Sequence, residues 1–189
     1  MITLPALAAE ALGSFLASDM KDRFGSSHAR LAERIPFAAR LALECIGNSD
    51  ALYHNVEHTM LVTLAGHDIF KGRALLKPST PADYSNFIVA CLAHDIGYVR
   101  GVVKGDKDDA YVVDGTGRKI SLPRGSSDAA LAPYQLSGRS CSCWIVLRQS
   151  RNSTAHRSRV RSGSRDSHMH RSLTIRKTRC ATLFRRMSN

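Results

Sequence analysis

Two histidine-bearing stretches constrain this chain more than anything else in it. They are Tyr53-His54-Asn55-Val56-Glu57-His58 and His94-Asp95, with 35 residues between His58 and His94. That interval is what a helix, a short loop and a second helix occupy. The spacing therefore predicts that both stretches sit at helix ends, His54 and His58 at the start of one helix and His94-Asp95 at the end of the next. Four residues apart, His54 and His58 are expected on one helix face.

The punctuation of the sequence supports a helical reading of the first hundred residues. Thr3 as cap and Pro5 in the first turn open a helix over Leu4–Met20, with Ala8, Ala11, Leu12, Phe15 and Leu16 on one stripe. Gly25-Ser26-Ser27 breaks it. A second helix starts at His28 or Pro36 and ends at Ile46, with Leu31, Ile35, Ala38, Ala42 and Cys45 at helical spacing, and Pro36 marks either a kink or the true start. After the turn cluster Gly47-Asn48-Ser49-Asp50, Asn55 caps a third helix that runs to about Leu76. Thr80, Pro81 and Asp83 begin a fourth, which is apolar nearly all round from Phe87 to Ala93 and so belongs in the core. Gly97 stops it. Beyond Arg100 the helical pattern fades. Ala110–Val113 and Arg118–Leu122, joined by Asp114-Gly115-Thr116-Gly117, read as a small hairpin inserted at about 110–122. Ser127-Asp128 can cap one further turn. The expected fold class is all-α with this one insertion.

A carboxylate at Asp95 opposes the negative pole of the helix it follows, and after the apolar run it also faces desolvation. Both costs vanish against a cation. Imidazole and carboxylate together suit Zn, Mn, Fe or, with more oxygens, Mg. Such an ion activates water near neutral pH and polarises a phosphoryl oxygen.

Tyr-His-Asn-x-x-His followed by Ala-His-Asp-x-Gly resembles the HD-domain phosphohydrolases, and the first motif is most similar to their cyclic-nucleotide phosphodiesterase branch. The resemblance covers about residues 30–135. It implies a helical bundle with the metal between helices. By the matching positions, His58, His94 and Asp95 are expected metal ligands, with Asp95 able to bridge a second ion. His54 is the expected proton donor to the leaving oxygen. Asn55 is expected to shape the pocket as well as cap its helix, and Tyr98 and Arg100 are expected to face substrate phosphate. His67 lies off this face and reads as structural or surface. The family pattern also needs a later Asp. Asp128 comes too soon and Asp166 has no helical stripe around it, so neither supplies it.

Composition divides the chain at about residue 136. Residues 1–136 hold 14 basic and 15 acidic side chains, whereas 137–189 hold 13 basic and one acidic. The formal net charge of +11 thus comes from the last quarter alone. That quarter contains 12 Arg and 11 Ser. It reads as a disordered basic tail or an out-of-frame translation. Across Gly138–Val146, joining the last base of each codon to the first two of the next permits Pro-Lys-Leu-Phe-Val-Leu-Asp-Arg, a segment a core helix could carry. The domain is therefore placed at 1–135, with its last ligand missing.

These features predict a metal-dependent phosphohydrolase, impaired in this chain, acting on a small phosphate ester or a nucleotide, with one or two divalent ions. The alternative is a non-catalytic binding module whose tail holds nucleic acid nonspecifically through phosphate charge. No run approaches the ~18 apolar residues of a membrane span. The start of the chain lacks a basic region, so no secretory signal is expected. Five cysteines without zinc-type pairing fit a reducing cytoplasm, and Cys45 and Cys91 read as buried thiols.

Overall fold

The computed structural model describes residues 2–107 and 109–135, and the tail read as disordered or out of frame lies outside them. Those residues are mostly helical with one small antiparallel hairpin, as expected. Helix α1 spans Leu4–Phe24, and the Thr3 side chain accepts the Ala6 N–H. It runs a turn past the expected Met20, because Lys21 and Arg23 suit the negative helix end and Gly25, at φ 81°, donates its N–H to Lys21 O. The stripe it buries is also rotated from the expected one. Ala9, Leu12, Gly13, Leu16, Ala17 and Met20 point inward, while Ala11 and Phe15 are exposed. A helix that is apolar on most sides gives periodicity little to choose between.

Helix α2, Ala29–Ile46, starts near the earlier of the two expected points and carries Pro36 in its interior. Ile35, Ala38, Ala42 and Cys45 are buried as expected. The missing Pro36 N–H costs one helical hydrogen bond, and close packing against α1 surrounds the residue. A Cβ placed on Gly13 would lie 2.6 Å from Pro36 Cα. Gly13→Ala must push the two helices apart and should lose about 1–3 kcal/mol. Gly72→Ala, with nothing within 4 Å of its added Cβ, should gain about 0.4–1 kcal/mol. Urea midpoints of the two variants check the contrast.

Helix α3, Val56–Leu76, and helix α4, Pro81–Ala93, begin where their caps predict. Asn55 Oδ1 accepts the His58 N–H at 2.9 Å. Thr80 and Asp83 form a reciprocal capping box. Helix α4 supplies Tyr84, Ile88 and Leu92, all fully buried, to the core shared with α1 and α2. Helix α3 packs chiefly on α4; Thr59, Thr63, Gly66, His67 and Phe70 are buried, and Val56, Met60 and Leu64 pack partly buried against the core. Its aliphatics Leu61, Ile69, Leu75 and Leu76 are exposed. The threonine hydroxyls are satisfied within the helix, Thr63 donating to Thr59 O at 2.7 Å and Thr59 to Asn55 O at 3.0 Å. His67 is buried, not at the surface. Its Nδ1 bonds Asp68 at 3.0 Å, its Nε2 makes an ion-pair contact with Asp19 of α1 at 3.2 Å, and its ring meets Phe15 and Tyr84.

After α4 the chain makes a 3-10 turn over Ile96–Tyr98. Strands β1, Ala110–Val112, and β2, Lys119–Ser121, pair with Tyr111 opposite Ile120. Asp114 closes their turn by accepting the N–H groups of Thr116 and Arg118. Asp106 fastens the hairpin to the chain leaving the turn by accepting the N–H groups of Gly101 and Val112. Ser127 caps another 3-10 turn, Asp128–Leu131, which leads into the short α5, Ala132–Gln135. Among the described residues no helix is long and apolar enough to cross a membrane.

Candidate metal centre

The start of α3 and the end of α4 meet. His58 is in the first turn of α3, but His54 precedes the cap Asn55 and lies in a bend, not on the helix face expected for it. Asn55 fixes that bend from both sides, with Nδ2 donating to Leu52 O at 2.9 Å while Oδ1 caps the helix. On the other side, His94 is the C-cap of α4, and Asp95 occupies the N-cap position of the following 3-10 turn without a side-chain capping bond. The Asp95 side chain is 5% exposed, while those of His54, His58 and His94 are 23%, 21% and 31% exposed. The carboxylate is thus buried beneath imidazoles that reach solvent.

Three imidazole nitrogens converge on one oxygen. Asp95 Oδ2 lies 2.7 Å from His54 Nδ1, 3.0 Å from His94 Nε2 and 3.2 Å from His58 Nε2. His94 Nε2 and His58 Nε2 are 3.3 Å apart. His94 Nδ1 sits 2.7 Å from Cys91 O. A carbonyl only accepts, so Nδ1 carries a proton, while Nε2 faces the Asp95 carboxylate and would exchange its proton for an ion, turning a lone pair on it. Burial works to raise the Asp95 carboxyl, but the hydrogen bonds from His94 and His54 and their charge hold it below its ordinary value. Burial likewise opposes charge on His94, and the bonds to Asp95 and to Cys91 O outweigh it, so its pKa is raised.

This donor set fits a divalent ion. Donors about 2.1 Å from one ion lie about 3.0–3.4 Å from one another in octahedral or tetrahedral geometry. The triangle His58 Nε2, His94 Nε2 and Asp95 Oδ2 has edges of 3.0, 3.2 and 3.3 Å. Two imidazoles and a carboxylate on one face suit a transition metal, and a ligating histidine anchored to a carbonyl through its other nitrogen is the usual support. His54 also falls in range, since His54, His58 and Asp95 can each offer an atom within 4.8 Å of the others. Its Nδ1, however, is already on Asp95.

Aromatic rings brace the cluster. Tyr98 lies flat on His54, with ring centroids 3.9 Å apart and planes at 15°. Tyr53 sets its edge against His54 at 5.0 Å and tilts over His58 at 4.6 Å. Its role as a wall was open to sequence reasoning only through its place beside the motif. Arg100 departs from its expected part. Its guanidinium bonds Asp128, Ser126 O at 2.8 Å and Asp50 at 2.9 Å, so it is committed to protein acceptors and does not stand open to a phosphate. Asp128, set aside as a late ligand, is buried in that network.

No curated protein and no solved structure matches the chain. A family profile described as Npun_R2479-like matches residues 5–156, a span that includes the whole His–Asp cluster and continues beyond residue 136. The chain belongs to the Npun_R2479-like family.

Proposed function

We propose that the chain is a metal-dependent phosphohydrolase of the HD-domain type, acting on a phosphate ester or nucleotide. The observation that carries the reading is the triangle of His58, His94 and Asp95, whose edges match the coordination face of a single ion. A divalent ion such as Zn, Mn, Fe or Mg supplies Lewis acidity toward a phosphoryl oxygen and lowers the pKa of water. His58 and His94 supply neutral nitrogens, and Asp95 supplies the charge. His54, held through Nδ1 on Asp95, offers its other ring nitrogen as proton donor to the leaving oxygen. Tyr98 and Tyr53 keep that imidazole from turning. Among the described residues no later carboxylate joins the three, since Asp128 is taken by Arg100, so turnover should be low.

Purified protein should carry a transition metal, measured by inductively coupled plasma mass spectrometry, and should hydrolyse bis(p-nitrophenyl) phosphate. His94→Ala should lose both. A His94→Ala variant with full metal content and full activity ends the reading.

A further inference from the structure

Arg100 stands five residues after Asp95, and Asp50 four residues before His54. Between them lies a polar network that the metal triangle does not use. The guanidinium reaches three acceptors in two separate segments: Nε donates to Asp128 Oδ1, Nη1 to Ser126 O and Nη2 to Asp50 Oδ2. The second Asp50 oxygen accepts the Asp128 N–H at 2.5 Å and the Ser127 hydroxyl at 3.1 Å. The second Asp128 oxygen accepts the Ser49 hydroxyl at 2.9 Å, and Ser49 Oγ in turn accepts the Ala51 N–H at 3.2 Å. The Arg100 side chain is 20% exposed and that of Asp128 only 5%. A planar guanidinium can serve three fixed acceptors at once, whereas an ammonium acts as a point charge and cannot hold the same fork.

The network ties the segment that enters His54 to the segment that leaves Asp95. Tyr98, two residues before Arg100, is the ring that lies on His54. The backbone on either side of the His54–Asp95 contact is thus anchored to one guanidinium. We propose that Arg100, acting through Asp50 and Asp128, is a positioning residue that sets the His54 ring against Asp95 without touching substrate. The catalytic half of this statement rests on the metal-dependent reading above, while the geometric half does not.

Arg100→Lys and Asp50→Asn in the full chain test it, the second because its carboxylate is half exposed and its loss is gentler on the fold. In metal-free protein with 15N-labelled histidine, the His54 imidazole resonances should shift in both variants, while those of His67, on α3 against α1 and α4, stay in place. In cobalt-loaded protein the visible spectrum should hold, because the three ligands are untouched. On bis(p-nitrophenyl) phosphate, kcat should fall about 10–100-fold with KM within about twofold, the size of effect expected from a residue that orients others. Unmoved His54 resonances in both variants overturn the proposal. So does a large rise in KM at constant kcat, which marks Arg100 as a phosphate contact. Wild-type protein that takes up no cobalt counts against the metal reading alone, and the histidine spectra still decide the positioning role.

Discussion

On the metal-dependent reading, Asp95→Asn will abolish metal binding while leaving the shape of the side chain unchanged. The amide removes the only negative charge in the triangle and can present only one accepting atom to the nitrogens of His54, His58 and His94, which now crowd one oxygen. Outer-sphere changes already cost about 10–100-fold in metal affinity, and loss of a charged ligand should exceed about 100-fold. Metal per chain after dialysis against a weak chelator reads this directly, and phosphodiesterase activity should vanish with it. Asp95→Asn protein that keeps its full complement of metal would show that the carboxylate is no ligand.

Tyr84→Ala will cost more stability than any other single truncation proposed for this fold. Tyr84 is fully buried where three helices meet, its ring within 6.0 Å of Phe24 in α1 and 6.2 Å and 5.3 Å of His67 and Phe70 in α3. Removing an enclosed aromatic ring leaves a cavity as well as losing burial, a loss of about 3–5 kcal/mol. Against a typical total of about 5–15 kcal/mol, that is enough to leave much of the chain unfolded at 37 °C. Tyr84→Phe should cost less, about 0.5–1.5 kcal/mol, because the hydroxyl bonds Leu16 O at a long 3.4 Å and otherwise meets the Asp19 carboxylate. Burial and the neighbouring Asp19 charge push the phenol well above its ordinary pKa, as expected of a ring placed for packing. Urea denaturation of both variants separates the ring from its oxygen, and equal losses would mean the hydroxyl, not the ring, is what the core needs.

The parts of this structure that were legible in the sequence are those decided within a few residues. Asn55 and the Thr80–Asp83 pair announce α3 and α4 because each satisfies its own backbone N–H groups locally. The hairpin turn at Asp114 is legible for the same reason. The orientation of α1 was not, because Ala11 and Phe15 are as apolar as Ala9 and Leu16, and only the shape of α2 decides between them. His54 was placed on the helix face by its four-residue spacing from His58, although Asn55, read as the cap, already puts it one residue before the helix. The convergence of His58, His94 and Asp95 could be anticipated residue by residue, but the employment of Arg100 could not. Its partners lie 28 and 50 residues away in the chain, and no local pattern links them.

Helix α3 turns the ordinary relation between side-chain character and location around, with Thr59, Thr63 and His67 inside and Leu61, Ile69 and Leu76 outside. At 1.5 Å per residue, those three aliphatics are spread along about 20 Å of one helix. Each large aliphatic withdrawn from water is worth roughly 1.5–3 kcal/mol, whereas a threonine bonded back to its own helix adds little to cohesion between elements. Val56, Met60, Leu64 and Phe70 secure the near side of α3, and a comparable apolar area remains on its far side. The helix that carries His58 is held in register by its caps and by α4, and it keeps an unspent reserve of cohesion facing solvent.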